Sequence, residues 1–254
     1  MSRLLSLLTD RLALGLLVLA ALVLGMPALK PLFAAAFPAL DRPLYEADGF
    51  LALTLDHLAL AGGASLIAVL LGGAAGIAVT RPFGREFRGV LDAVAAMGQT
   101  FPPVAVLAVS VPVLGFGPAP ALIALTLYGL LPIVENTVAG LEAVPEPVRE
   151  AARGMGMGPG ALLWRVELPL AAPVILAGVR TAAVVNLGTA AIASTVGAKT
   201  LGLPIIVGLN GSNPAYVIQG AVIVAVLAVV LDAGFDRLAA RLTRWRPGTD
   251  RGAA

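Results

Sequence analysis

The sequence predicts an all-α fold, a polytopic integral membrane bundle of about six transmembrane helices. Three observations carry that expectation: long apolar stretches, a scarcity of charge, and a one-sided distribution of Lys and Arg. Of 254 residues, 59% are hydrophobic and 13% charged, and the mean hydropathy is +0.94. A soluble domain carries about 25% charged residues. A membrane-spanning helix needs about 20 mostly apolar residues. Stretches at 12–29, 57–79, 90–114, 118–140, 171–196 and 215–235 meet that requirement. They form one bundle rather than separate folding units. Residues 1–56 make a first span and an outside loop, 57–240 the core with a loop at 141–170, and 241–254 a tail.

Orientation follows from the basic residues. With the N-terminus inside, the inside segments hold Arg3, Arg11, Arg81, Arg85, Arg88, Arg149, Arg153, Arg165, Arg237, Arg241, Arg244, Arg246 and Arg251, 13 in all. The outside segments hold Lys30, Arg42 and Lys199, which is 3, and Arg180 lies within the fifth span. Lys and Arg favour cytoplasmic connections, so both termini are expected in the cytoplasm. Arg3 and Arg11 before an apolar run, followed by small residues at 34–36, also resemble a signal peptide. The apolar run is longer than a usual signal core, which favours a retained helix.

Within the spans, Pro102, Pro103 and Pro112 mark the third as kinked, either beside a cavity or for packing alone. Only residues 115–117 separate it from the fourth, so the two form a tight helical hairpin.

The longest inside connection, 141–170, carries the most distinctive pattern. Pro145 and Pro147 suit the first turn of a helix, where a missing N–H costs nothing. A two-turn helix over 148–155 follows, with Glu150 and Arg153 three apart on one side and Ala151, Ala152 and Met155 giving a slim apolar face. Gly156 and Gly158 end it and Pro159 forbids continuation. A second short helix over 160–166 stops near Pro169. Two short helices presented by two membrane helices are a shape that a protein partner could grip.

This segment resembles the EAA loop of binding-protein-dependent ABC importer permeases, whose signature is Glu-Ala-Ala, three residues, Gly, nine residues, Ile, one residue, Leu-Pro. Here Glu150, Ala151, Ala152, Gly156, Val166, Leu168 and Pro169 stand at that spacing, with Val in place of Ile. The resemblance implies a type I importer permease of the MetI-like fold in the bacterial inner membrane. It implies a coupling helix at Glu150, Ala151, Ala152 and Gly156 that fits a groove on an ATPase subunit. It further implies two ATP-binding subunits that bind ATP and Mg, a second permease subunit (identical or not), and a periplasmic or lipid-anchored substrate-binding protein. No cofactor is expected in this chain itself.

Residues 98–102, 130–134, 150–169 and 201–204 are similar to the glycine betaine, choline and related osmoprotectant permeases. That similarity implies a quaternary amine as substrate. Relatives often carry a basic residue where this chain has Glu135, which leaves another small solute, such as an amino acid derivative, open.

Polar residues within the spans are candidates for lining a pathway, because ionisable groups in a membrane segment are costly. Glu135 and Arg180 lie at comparable depth and are expected to face each other or flank the inner end. Gln99, Thr100, Asn136, Asn186 and Thr189 are further candidates, with helix–helix hydrogen bonding as the alternative for each. The single histidine, His57, is expected at a membrane interface. The loop 197–214 and the first outside loop are expected to receive a binding protein.

Other functions find no support. The chain has no cysteine, which excludes disulfides and thiolate sites. A net charge of +2 without basic runs gives no footing for nucleic acid. No Gly-x-x-x-x-Gly-Lys-Ser/Thr loop is present, so ATP hydrolysis must belong to a partner. An ion-coupled carrier would predict inverted repeats and midplane charges, and neither is visible. An intramembrane enzyme would need a base beside its nucleophile, and His57 has no such context.

Overall fold

The computed structural model describes residues 10–243. Arg3, Arg244, Arg246, Arg251 and nearly all of the expected tail at 241–254 lie outside the described residues. The elements are helices, in the order α1 (Arg11–Ala36), α2 (Phe50–Val79), α3 (Arg88–Thr100), α4 (Pro103–Leu114), α5 (Pro118–Glu142), α6 (Glu146–Gly154), α7 (Pro159–Val196), α8 (Gly202–Asn210) and α9 (Pro214–Leu242). Five of these are long and apolar enough to cross a membrane, and the bent pair α3 and α4 brings the number to six if the two together make one span. The chain is a multi-pass membrane protein.

The centre of the bundle is α5, which packs against α2 on one side and α7 on the other. Small residues make this possible. Along α2, Ala61, Ala64, Ser65, Ala68, Gly72 and Gly76 are buried at spacings of three and four. A Cβ at Gly76 would lie 2.9 Å from Thr137 Cβ, so only glycine lets α2 approach α5 so closely. Gly178 of α7 likewise rests on the backbone of α5 at Pro132. In lipid, where hydrocarbon surrounds every helix, such close backbone contact supplies much of the association.

The third crossing departs from expectation most. A kinked helix over 90–114 was predicted; instead α3 and α4 meet at 94°. Phe101 and Pro102 take extended conformations at ψ 131° and 136°. Two successive prolines remove two backbone donors and disfavour helical geometry in the residue before each. After α4, Gly115 and Gly117 adopt positive φ of 79° and 126° and turn the chain into α5, which is the expected hairpin. The amide of Gly117 donates to Val196 O at 2.7 Å, tying that turn to the end of α7.

Pro132 lies inside α5, which continues through it, and frees the carbonyl four residues earlier, that of Tyr128. Gln99 Nε2 of α3 donates to that carbonyl at 3.0 Å. The Tyr128 hydroxyl in turn donates to Phe101 O at the break.

Two further corrections concern placement. His57 was expected at an interface, but it is fully buried and its Nε2 bonds Leu187 O at 2.8 Å. The helix begins at Phe50, two turns earlier than the sequence suggested, which puts His57 on the packing face with Leu53 and Leu60. The loop 197–214 contains α8, whose Gly208 lets it fold closely onto the start of α9 at Tyr216 and Val217.

Candidate functional site

Helix α6 stands between α5 and α7 at the end of the bundle that holds most of the arginines. Pro145 and Pro147 start it, Glu146 sits in its first turn and Arg153 in its last, each complementing the helix dipole. Gly156 closes it at φ 82°. Its amide donates to Arg153 O at 2.9 Å and that of Met157 to Ala152 O at 3.2 Å, the paired bonds of a Schellman cap. The helix boundary and the role of Gly156 match the sequence expectation to within two residues.

The side chains sort into two faces. Ala152 is buried and Arg149 half-buried against the bundle, while Val148, Glu150, Ala151 and Met155 are exposed. Arg153, three residues from Glu150 on the same helix, bonds Glu146 at 2.7 Å. Glu150 has no ion pair among the described residues and presents its carboxylate outward beside Met155, 71% exposed.

The second short helix is not separate. Residues Pro159–Leu162 run through one widened π turn, Leu163–Glu167, into Leu168–Thr189. Pro169 therefore does not stop a helix. It lies in the first regular turn after the π turn, where the usual hydrogen-bond register is already displaced: Leu168 N donates to Leu163 O, five residues back. Val166 and Leu168 are half-buried and Pro169 is exposed.

The π turn delivers Glu167, which the sequence reading did not single out. It is 3% exposed. Arg149 Nε of α6 donates to its Oε1 at 2.8 Å. Arg81, just past the end of α2, places Nη1 2.7 Å from its Oε2, a contact of charge rather than an aligned hydrogen bond. Arg149 also donates to Leu141 O at 2.6 Å, on the last turn of α5, and contacts Glu146 at 3.2 Å. Burial works against the Arg149 charge, but its bonds to Glu167 and Glu146 outweigh it and hold its pKa above the ordinary arginine value. Bonds from Arg153 and then Arg149 hold the Glu146 carboxyl below the usual range. A cavity of about 370 Å³ opens among these groups, lined also by Arg85 and Arg88. The signal in the sequence was Glu167 itself, a lone carboxylate between Val166 and Leu168 at the start of an apolar run.

The pathway candidates do not form one cluster. The expected Glu135–Arg180 pair is absent. Arg180 of α7 pairs with Asp232 at 2.6 Å and with Asp236, both on α9. Those carboxylates stand four residues apart, one turn, and bracket a single guanidinium from one helix face. Glu135 lies exposed on α5 with no ion pair among the described residues. Asp232 was readable as an ionisable residue within the sixth stretch. Gln99 serves the Tyr128 carbonyl, Thr100 bonds back to Ala96 O at 2.9 Å, and Asn136 Nδ2 bonds Pro132 O at 2.8 Å. Asn186 is fully buried and donates to Ser65 Oγ at 3.0 Å, so it joins α7 to α2. Thr189 is half-buried and lines a very small apolar space with Pro103, Leu107 and Leu125.

At the opposite end the two expected outside loops do come together. Gln219 of α9, fully buried, accepts from Tyr45 N at 3.0 Å and donates to Pro43 O at 2.7 Å. Asn213 caps α9 and donates to Arg42 O at 2.9 Å. Tyr45 stacks edge-on with Phe50 and Tyr216. Lys199 donates to Asp48 at 2.9 Å. That bond holds the Asp48 carboxyl below its ordinary value and raises Lys199. The Tyr45 hydroxyl is pushed up by burial first and by its bond to Asp48 second.

The comparisons agree with this geometry. The family described as the inner membrane component of binding-protein-dependent transport systems matches residues 64–244. The choline transport system permease protein OpuBB of Bacillus subtilis is 40% identical over 179 residues, 70% of this chain and 82% of its own length. The osmoprotectant import permease protein OsmY of Salmonella typhimurium is 42% identical over 176 residues, 69% of this chain and 75% of its own. Among solved structures, the MetNI methionine ABC transporter in an inward-facing conformation has a chain of the same fold, with a TM-score of 0.66 at 24% identity, covering 75% of this chain and 94% of that one. A buried centre of small residues, a glycine-capped helix displayed between two crossings and a family match over most of its length lead to one conclusion: the chain belongs to the binding-protein-dependent transport system inner membrane component family.

Proposed function

We propose that this chain is the permease subunit of an ATP-driven importer, and that α6 is the helix through which ATP-binding partners move it. The observation that carries the reading is the outward face of α6, with Glu150, Ala151 and Met155 exposed and the helix stopped sharply at Gly156. The arginine-rich end is then cytoplasmic, as the charge distribution favours, and both termini lie there. Closure of two ATPases around ATP and Mg draws the α6 helices of two permease subunits together. The bundle opens outward, receives substrate from a binding protein seated on the Tyr45 and Gln219 end, and releases it inward after hydrolysis.

The substrate proposed is a quaternary amine osmoprotectant. The names of the choline and osmoprotectant relatives support it. Only 5% of the chain is aromatic, so recognition of the cation by an aromatic cage rests with the binding protein.

Two substitutions test the docking role. Glu150→Arg reverses the exposed charge, and Gly156→Val forces a branched side chain into positive φ. Both are expected to abolish co-purification with the ATP-binding subunits and substrate-stimulated ATP hydrolysis. If both properties survive unchanged, α6 is not the docking helix. Binding of choline and glycine betaine to the partner binding protein tests the substrate.

A further inference from the structure

We propose that Glu167 is the positioning residue that makes α6 and three membrane helices move as one body. The inference rests on the docking role of α6. Three segments meet at this carboxylate, and a fourth is held through Arg149. Glu167 stands at the start of α7, Arg149 comes from α6, Arg81 follows the end of α2, and Arg149 also holds the Leu141 carbonyl at the end of α5. Arg81 is the arm of the clamp that carries it to the end of α2. Without the clamp, a push on α6 would pass only through its flanking chain connections and the packing of Ala152 against the bundle.

The chemistry suits a rigid joint. A buried carboxylate between two guanidinium groups is satisfied only while both stay in place, and leaving either charge unpaired in a low-dielectric site is strongly unfavourable. Arginine adds planar, directional donors that a lysine ammonium lacks. The π turn at Leu163–Glu167 is the local device that aims the carboxylate. It inserts one residue relative to a regular helix, and one residue is about 100° of rotation, so a regular turn would swing Glu167 away from Arg149. The clamp lies on the bundle side of α6, opposite the exposed face of Glu150 and Met155, so it is not itself part of the docking surface.

The test uses the complete transporter, with both ATP-binding subunits and the binding protein, reconstituted in vesicles. Arg81→Gln breaks the link to α2 and leaves Arg149–Glu167 intact; Glu167→Gln weakens both arms. In each, the complex is expected to assemble and ATP hydrolysis to stay within about twofold, while substrate moved per ATP falls about fivefold or more. Arg81→Lys is expected to recover part of that loss. An unchanged transport-to-ATP ratio in Arg81→Gln overturns the proposal. So does an equal fall in transport and hydrolysis that tracks the amount of assembled complex, because that marks a merely structural role. Failure of the docking reading is seen separately, as normal co-purification of the Glu150 and Gly156 variants.

Discussion

At the arginine-rich end a buried carboxylate, Glu167, ties helices together through two guanidinium groups; at the opposite end a neutral amide, Gln219, ties a loop to a helix through two backbone groups. Both side chains are almost wholly buried. The charged tie cannot be half-made without leaving an uncompensated charge, whereas an amide that loses a partner leaves only a polar group unsatisfied. The charged end therefore suits the transmission of force and the neutral end suits the holding of a shape. Around Gln219 the ions, Lys199 with Asp48 and Lys30 with Glu46, sit at the rim, where water screens them.

The contrast makes ordered predictions. Glu167→Ala leaves Arg81 without its carboxylate and Arg149 with only Glu146 and Leu141 O, and is expected to cost about 3 kcal/mol, read as a lowered unfolding temperature in detergent. A loss below about 1 kcal/mol would remove the distinction between the two ends. Gln219→Ala leaves Tyr45 N and Pro43 O without their partner and is expected to cost about 1–3 kcal/mol. Its transport defect should appear as weakened binding-protein affinity, with the ATP-binding subunits still attached. Were those subunits lost as well, the ends would not be separable.

The smallest effect concerns pH. The Asp48 carboxyl is depressed below 3.8, so its contribution is present above that value and is lost only as pH falls through the lower native one. The Lys199 amine is raised above 10.5, so its contribution is present below that value and is lost as pH rises through the higher native one. The pair is therefore charged throughout the neutral range, and the unfolding temperature of Asp48→Asn is expected to run parallel to the parent between about pH 5 and about pH 9. A divergence inside that window would mean that this end relies on charge after all.

What the sequence made legible follows from how each feature is encoded. Crossings α2, α5, α7 and α9 are written as continuous apolar runs, and the cap of α6 as a glycine at a fixed distance from a helix start. The break between α3 and α4 was written in Pro102 and Pro103, but prolines in membrane helices range from slight kinks to full breaks, and residues alone do not choose among them. Arg180 shows a different limit. Depth along a helix can be counted from sequence, but which neighbour its face meets depends on helix order in the bundle, and the face of α7 that carries Arg180 meets α9 rather than α5. Glu167 depended on a π turn, which has no sequence pattern of its own.

The break at Pro102 has a mechanical corollary. Arms of 13 and 12 residues are about 20 Å and 18 Å long, each too short to cross a bilayer core of about 30 Å. Two adjoining residues offer no backbone donor, so changing the angle between the arms breaks no ladder bond at the vertex. In a bundle otherwise fastened by interlocking glycines, buried amides and a charged clamp, this vertex is an elbow. Gln99 and Tyr128 fasten it to α5 like a strap across the joint.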